Sequence, residues 1–160
     1  MIDLVATYRE GGGEMARRTY RGAQVEVTFD ADLCIHAAEC VRGLPGVFDR
    51  DRRPWILADN ASDLDLIAVI ERCPSGALQY QHSDGRTEKP AGTTTVTPVE
   101  NGPLLLRGEL KVRGVDGTDE ILPRAALCRC GESKNKPFCD NSHLESGFQA
   151  PGTPLDHASR

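Results

Sequence analysis

Cys128-Arg129-Cys130-Gly131-Glu132-Ser133-Lys134-Asn135-Lys136-Pro137-Phe138-Cys139-Asp140-Asn141-Ser142-His143 places three thiols and an imidazole within sixteen residues. The spacing is C-x-C, eight residues, C, three residues, H. Thiolate and imidazole both suit iron or zinc, so the donor set predicts a metal site. A structural zinc site is the simpler alternative, but such sites usually open with C-x2-4-C, and a C-x-C pair is tight when all four ligands share one tetrahedral ion. Donors spread over two metals escape that restriction.

The other three of the six cysteines, Cys34, Cys40 and Cys73, lie in the first half of the chain. Each group of three is odd, so neither pairs off internally as a disulfide framework, and no N-terminal signal pattern is evident. The reading is therefore a protein of the reducing cytoplasm. No run approaches the roughly 18 apolar residues needed to span a bilayer, which argues against a membrane partner. The net charge of −5 argues against nucleic acid. At 160 residues with only 5% aromatics, two small units stapled by metal fit better than one large core.

Outward from the motif, the chain divides as follows. Residues 1–21 carry Gly11-Gly12-Gly13 without periodicity and are read as an arm. A first unit covers 22–83. In it, Ala23, Val25, Val27 and Phe29 alternate with polar residues as in a half-buried strand, and a second strand is expected near Trp55-Ile56-Leu57. Ser62, followed by Asp63 and Asp65, marks a helix start, and Leu66, Val69, Ile70 and Cys73 repeat at helical spacing, which predicts Cys73 on a buried helix face. Pro74-Ser75-Gly76 stops that helix before a return strand at Ala77–Tyr80. Residues 84–102, rich in Gly, Pro and Thr, are read as a linker. A second unit, 103–150, opens with a β-hairpin: Leu104, Leu106, Leu110 and Val112 share one face, Gly114–Gly117 turns, Ile121-Leu122 returns, and Pro123 leads into the cysteine segment. A polar tail, 151–160, is expected to fray, and His82 and His157 are read as surface residues. The fold class expected is α+β.

The second segment resembles the CDGSH iron–sulfur domain, the NEET family, in both ligand spacings and in Ser133, Pro137, Asp140, Ser142 and His143. The departure is Asn141 where the family has glycine, and Asn tolerates the left-handed region better than most residues. The resemblance implies a 2Fe-2S cluster, with Cys128 and Cys130 on one iron and Cys139 and His143 on the other. A neutral histidine ligand would raise the reduction potential relative to an all-cysteine cluster, and it titrates near neutrality, so His143 is expected to tune the cluster and to be its acid-labile point. Around the ligands, Asp140 is expected to cap a short helix and Ser133 to hydrogen-bond a bridging sulfide.

Cys34-Ile35-His36-Ala37-Ala38-Glu39-Cys40, with the remote Cys73-Pro74, resembles a divergent mono-cluster ferredoxin. Such proteins space local cysteines C-x2-C-x2-C and add a distant Cys-Pro. Cys34 and Cys40 take the first and third places, and Ala37 takes the second. Three thiolates imply a 3Fe-4S cluster, or a 4Fe-4S cluster completed by another group. His36, one residue from the vacant place, is either that additional ligand or part of the lining. The competing reading, three small buried hydrophobes, is weakened by Cys-Pro following an amphipathic helix.

The resemblances thus imply a small ferredoxin-like domain followed by a β-rich CDGSH domain. No Ser/His/Asp arrangement or phosphate cradle points to an enzyme. The expected function is single-electron transfer with redox partner proteins. The alternative is a cluster carrier or redox and pH sensor that passes the 2Fe-2S unit to apo iron–sulfur acceptors. A lone CDGSH motif implies either a homodimer or packing against the first unit.

Overall fold

The computed structural model describes residues 17–155. Two antiparallel three-stranded sheets, with short helices between their strands, give an α+β fold. In the first unit, β1 (Arg18–Arg21), β2 (Val25–Phe29) and β3 (Leu78–His82) pair in that order. The alternation read from the sequence is present: Val25 and Val27 are buried while Glu26 and Thr28 are partly exposed. Because β1 pairs with β2, the last residues of the stretch read as an arm belong to the sheet. Residues 1–16 lie outside the described residues.

Helix α1 (Glu39–Gly43) is short, and α2 (Asp63–Ile70) starts where its signals place it. The Ser62 hydroxyl accepts the Asp65 amide at 3.2 Å, which satisfies one of the free N–H groups of the first turn. Leu66, Val69 and Ile70 face a core with Val27, Phe48, Ile56 and Leu78. Three expectations are corrected here. Cys73 is not on the helix face, because α2 ends at Ile70 and Cys73 closes a turn onto the Ile70 carbonyl at 3.0 Å. Trp55–Leu57 forms no regular strand; only Ile56 bridges to Phe48, and Trp55 instead packs edge-on against Phe29, with ring centroids 4.9 Å apart. His82 is buried, not a surface residue, because Asp63 and Asp84 hold its two ring nitrogens.

The second sheet has the order β4 (Thr95–Pro98), β5 (Leu104–Arg113), β6 (Asp119–Leu127). Strand β4 lies inside the stretch read as a linker, where Thr-rich β-branched sequence pairs against the edge of β5. The hairpin is as expected, but β6 runs on through Pro123 to Leu127. An edge strand tolerates proline because one of its sides needs no ladder N–H. The register slips between Arg107 and Leu110, so β5 carries one extra residue at Gly108, whose φ of +149° suits glycine alone. The start of the tail is also paired: the Thr153 amide donates to the Pro98 carbonyl at 2.8 Å, extending the β4 side.

The two units share a second core. Leu33 and Ala77 of the first pack with Leu110, Val112, Leu122, Ala125 and Phe138 of the second, and Cys34 and Cys73 lie against this cluster. Gly76, at φ +74°, lets the chain pass directly over the Arg124 carbonyl; a Cβ there would collide with it.

Candidate metal centres

In the second unit, the hairpin and the loop after it set the donors. The Cys128 amide donates to the Pro137 carbonyl at 2.8 Å and the Cys139 amide to the Ala126 carbonyl at 2.9 Å, so the strand end and the returning loop run side by side. The thiols of Cys128 and Cys130 stand 3.9 Å apart, and Cys139 Sγ stands 3.5 Å from His143 Nδ1. Two ligands on one tetrahedral metal, with metal–sulfur near 2.3 Å and metal–nitrogen near 2.0 Å, stand roughly 3.8 Å apart for S/S and 3.6 Å for S/N. Each pair therefore fits one metal. Among the described residues, no three His, Cys, Asp or Glu side chains surround a single ion point, so the donors are grouped as pairs.

Backbone amides point at the sulfurs. Glu132 N–H meets Cys130 Sγ and Asn141 N–H meets Cys139 Sγ, both at 3.4 Å. Burial opposes ionisation of Cys128, but the amides of Ser133 and Gly131, the Cys130 thiol and the Lys136 charge together hold it below the usual thiol value. Burial pushes the Cys139 thiol up, and the charges of Cys128, Asp140 and Cys130 add to that. The two pairs thus feel one another. Burial lowers His143 against the opposing pull of Asp140, favouring the neutral imidazole that a metal binds.

Helix α3 (Ser142–Ser146) carries His143, and Asn141 enters it at φ +70°, the left-handed conformation that its amide side chain tolerates. Asp140 does cap the turn: one carboxylate oxygen accepts the Ser142 amide at 3.0 Å and its hydroxyl at 2.7 Å, and the other accepts the Lys134 amide at 2.8 Å. Ser133 clamps the ligand loop: its hydroxyl donates to the Phe138 carbonyl at 2.6 Å, with the Asp140 carboxylate as a second partner.

In the first unit, a 3-10 turn (Ala31–Leu33) delivers Cys34, the first turn of α1 carries Cys40, and the turn after α2 carries Cys73. Cys73 packs against the same apolar cluster as Cys40 and against the second one with Cys34, and its charge acts on both. Burial, followed by the Cys73 charge, pushes the Cys40 thiol up to about 11; burial also raises Cys34, with Cys73 contributing and the His36 amide opposing. Cys34 and Cys40 thus resist ionisation, whereas a cationic metal group would reverse that balance. The amides of His36 and Val41 face Cys34 and Cys40, a hydrogen-bond pattern that stabilises cluster sulfurs. His36 at φ +56° and Ala38 at φ +63° make the loop curl around Ala37. The His36 side chain is exposed, so its nearest contribution to the site is its amide.

The site also involves residues not singled out from sequence. Arg124 is fully buried and paired with Glu88 at 2.5 Å. Its signal was parity: it lies on β6 in step with Leu122 and Ala126, both buried. Glu88 and Gly76 carried no local signal, since their partners lie 36 or more residues away.

The fold and these donors define an iron–sulfur protein of two cluster-binding domains. The chain belongs to the divergent 4Fe-4S mono-cluster family, whose model matches residues 20–83, and residues 101–144 match the model of the iron-binding zinc finger CDGSH type. Its first half is 42% identical over 65 residues to the uncharacterized protein YjdI of Escherichia coli K12, covering 41% of this chain and 86% of YjdI. Its second half is 41% identical over 46 residues to a CDGSH iron-sulfur domain-containing protein 2 homolog of Drosophila erecta, covering 29% of this chain and 35% of that protein. A CDGSH iron-sulfur domain protein of Drosophila melanogaster is 42% identical over 43 residues, covering 27% of this chain and 32% of its own. Among the described residues, no helix is long and apolar enough to cross a membrane.

Proposed function

We propose that the protein is a single-electron carrier with a 2Fe-2S cluster on Cys128, Cys130, Cys139 and His143 and a 3Fe-4S cluster on Cys34, Cys40 and Cys73. When bound, such clusters take up and release one electron without a proton having to be abstracted from substrate. The observation that carries the reading is the shared core. Phe138, adjacent to Cys139, packs in the same apolar cluster as Leu33, Cys34 and Cys73, so both donor-bearing segments meet at one apolar cluster. The loops also touch, the Asn135 side-chain amide donating to the Asp32 carbonyl at 2.9 Å. Apolar packing that joins the two donor-bearing segments favours passage of electrons within the chain.

In this reading the chain's own groups hold and tune. Amides donate to the sulfurs, Asp140 and Ser133 lock the second loop, and the curl around Ala37 leaves one corner of the first cluster without a protein thiolate. Soluble redox proteins, not a small substrate, are the partners. The reducing cytoplasm is the proposed setting, and the shared core provides the packing that a lone CDGSH unit needs.

The test is anaerobic purification with iron and sulfide analysis, and EPR before and after dithionite. About five irons per chain, an oxidised 3Fe signal and a separate reduced 2Fe signal are expected from the two cluster types. About two irons with the 2Fe signal alone overturns the first site. Rapid, complete transfer of the 2Fe-2S unit to an apo-ferredoxin, faster than electron exchange, overturns the electron-carrier role in favour of a cluster carrier.

A further inference from the structure

Arg124 is the largest side chain without solvent exposure, and it belongs to neither donor set. From β6 it reaches across to the turn that carries Cys73. Its Nη1 donates to the Ile70 carbonyl at 2.9 Å and to the Cys73 carbonyl. Its Nη2 donates to the Leu78 carbonyl at 3.0 Å and to Glu88 Oε2 at 2.5 Å, and its Nε donates to Glu88 Oε1 at 2.9 Å. The guanidinium is fully satisfied, and the carboxylate takes it bidentately, the strongest geometry for such a pair.

Stability alone does not explain a buried ion pair, since well-packed apolar side chains of similar volume often do as well or better. Placement distinguishes this one. The guanidinium faces the Cys73 carbonyl, and the carboxylate lies on the opposite side of the fork. Arg107, which donates to the Glu71 carbonyl at 2.8 Å and stands 3.8 Å from Glu88, is about half exposed and so screened by water. Arg124 is unscreened.

We propose that Arg124 and Glu88 form a buried dipole that sets the reduction potential of the cluster held by Cys73, with Arg124 as its positive, positioning end. The inference rests on the reading of Cys34, Cys40 and Cys73 as cluster ligands. Reduction adds one electron, supplied by dithionite through mediators, to the group beside Cys73. A fixed positive end close by stabilises the reduced state, and Glu88 offsets part of that effect. These guanidinium contacts go to Glu88 and to first-unit carbonyls, the Cys73 one among them, so the second cluster serves as the comparison within the same molecule.

The experiment is a redox titration followed by EPR on the full-length protein with both clusters loaded. Glu88→Gln keeps a side chain of the same shape and an oxygen for the Arg124 fork while removing the negative charge. It should raise the first cluster's potential, changing its reduction equilibrium by about tenfold, or 59 mV for one electron, with the 2Fe-2S potential unmoved. That size corresponds to one unit charge about 12 Å away at an effective dielectric of about 20. Arg124→Met combined with Glu88→Gln should lower the first potential below that of Glu88→Gln, and Arg124→Lys, which keeps the charge, should stay near the parent. An unshifted first potential in Glu88→Gln, or equal shifts of both clusters, overturns the proposal. If the Arg124 variants fail to fold, the Glu88→Gln result decides alone. A parent protein with no first-cluster signal is a different failure: it removes the ligand reading beneath the inference.

Discussion

At the scale of single residues, Ala37 and His143 distinguish this chain's two sites from all-cysteine clusters. Ala37 lies between two left-handed residues, His36 and Ala38, at the position where the proposed three-thiolate site has no cysteine. Ala37→Cys should therefore convert the first cluster from three irons to four, seen as loss of the oxidised 3Fe EPR signal and a gain of about one iron per chain. His143, 9% exposed, stands 3.5 Å from Cys139 and would supply a neutral donor to the proposed 2Fe-2S cluster. Replacing it with a thiolate adds negative charge at the metal, so His143→Cys should lower the 2Fe-2S potential while keeping the cluster, as measured by redox titration. The close pairing of Cys128 with Cys130 and of Cys139 with His143 was legible in the sequence, because their spacing is local. The Ser133 clamp was not. Which partners a hydroxyl meets depends on loop closure, and here they are the Phe138 carbonyl and the Asp140 carboxylate.

At the scale of elements, the best-defined piece is α2, whose cap, early acidic residues and apolar stripe all agree. Ser62→Ala leaves the Asp65 amide without its partner and should cost about 1 kcal/mol of unfolding free energy, read from urea denaturation. The alternation of β2 and β5 was equally plain, since each has one buried face and one wet one. Strands β1 and β4 were not legible. Both are short edge strands with mostly exposed side chains, so neither has an apolar period, and only the neighbouring ladder makes them strands. Strand β3 carries a pH-sensitive contact: Tyr80 donates to Glu71 at 2.9 Å, and burial, then that bond, pushes the phenol up to about 12. A raised folded-state value means the contribution is fully present below the ordinary phenol value near 10 and is lost as pH rises toward 12. The stability difference between the parent and Tyr80→Phe should therefore shrink between pH 10 and 12. Urea midpoints across that range measure it, and a constant difference would contradict the assignment.

At the scale of the whole molecule, the two units behave as one body through a shared core and the Arg124 fork. Gly76→Ala tests that union. The added methyl meets the Arg124 carbonyl, and its backbone must hold φ at +74°, so a loss of about 2 kcal/mol or more is expected from clash and left-handed strain together. If the units are coupled, calorimetry should show a single transition moving to lower temperature. Two separated transitions, with only one displaced, would show that the interface does not couple them. By itself the sequence determined the two iron–sulfur domain motifs, the α+β class and the start of the main helix, because motif spacing, hydrophobic period and capping act within a few residues. Only the tertiary structure decided that Cys73 sits in a turn beyond the helix, that His82 is buried between two carboxylates, and that Arg124 meets Cys73 across 51 residues. Those outcomes depend on which surfaces find each other once apolar faces are buried, and no local pattern encodes the partner.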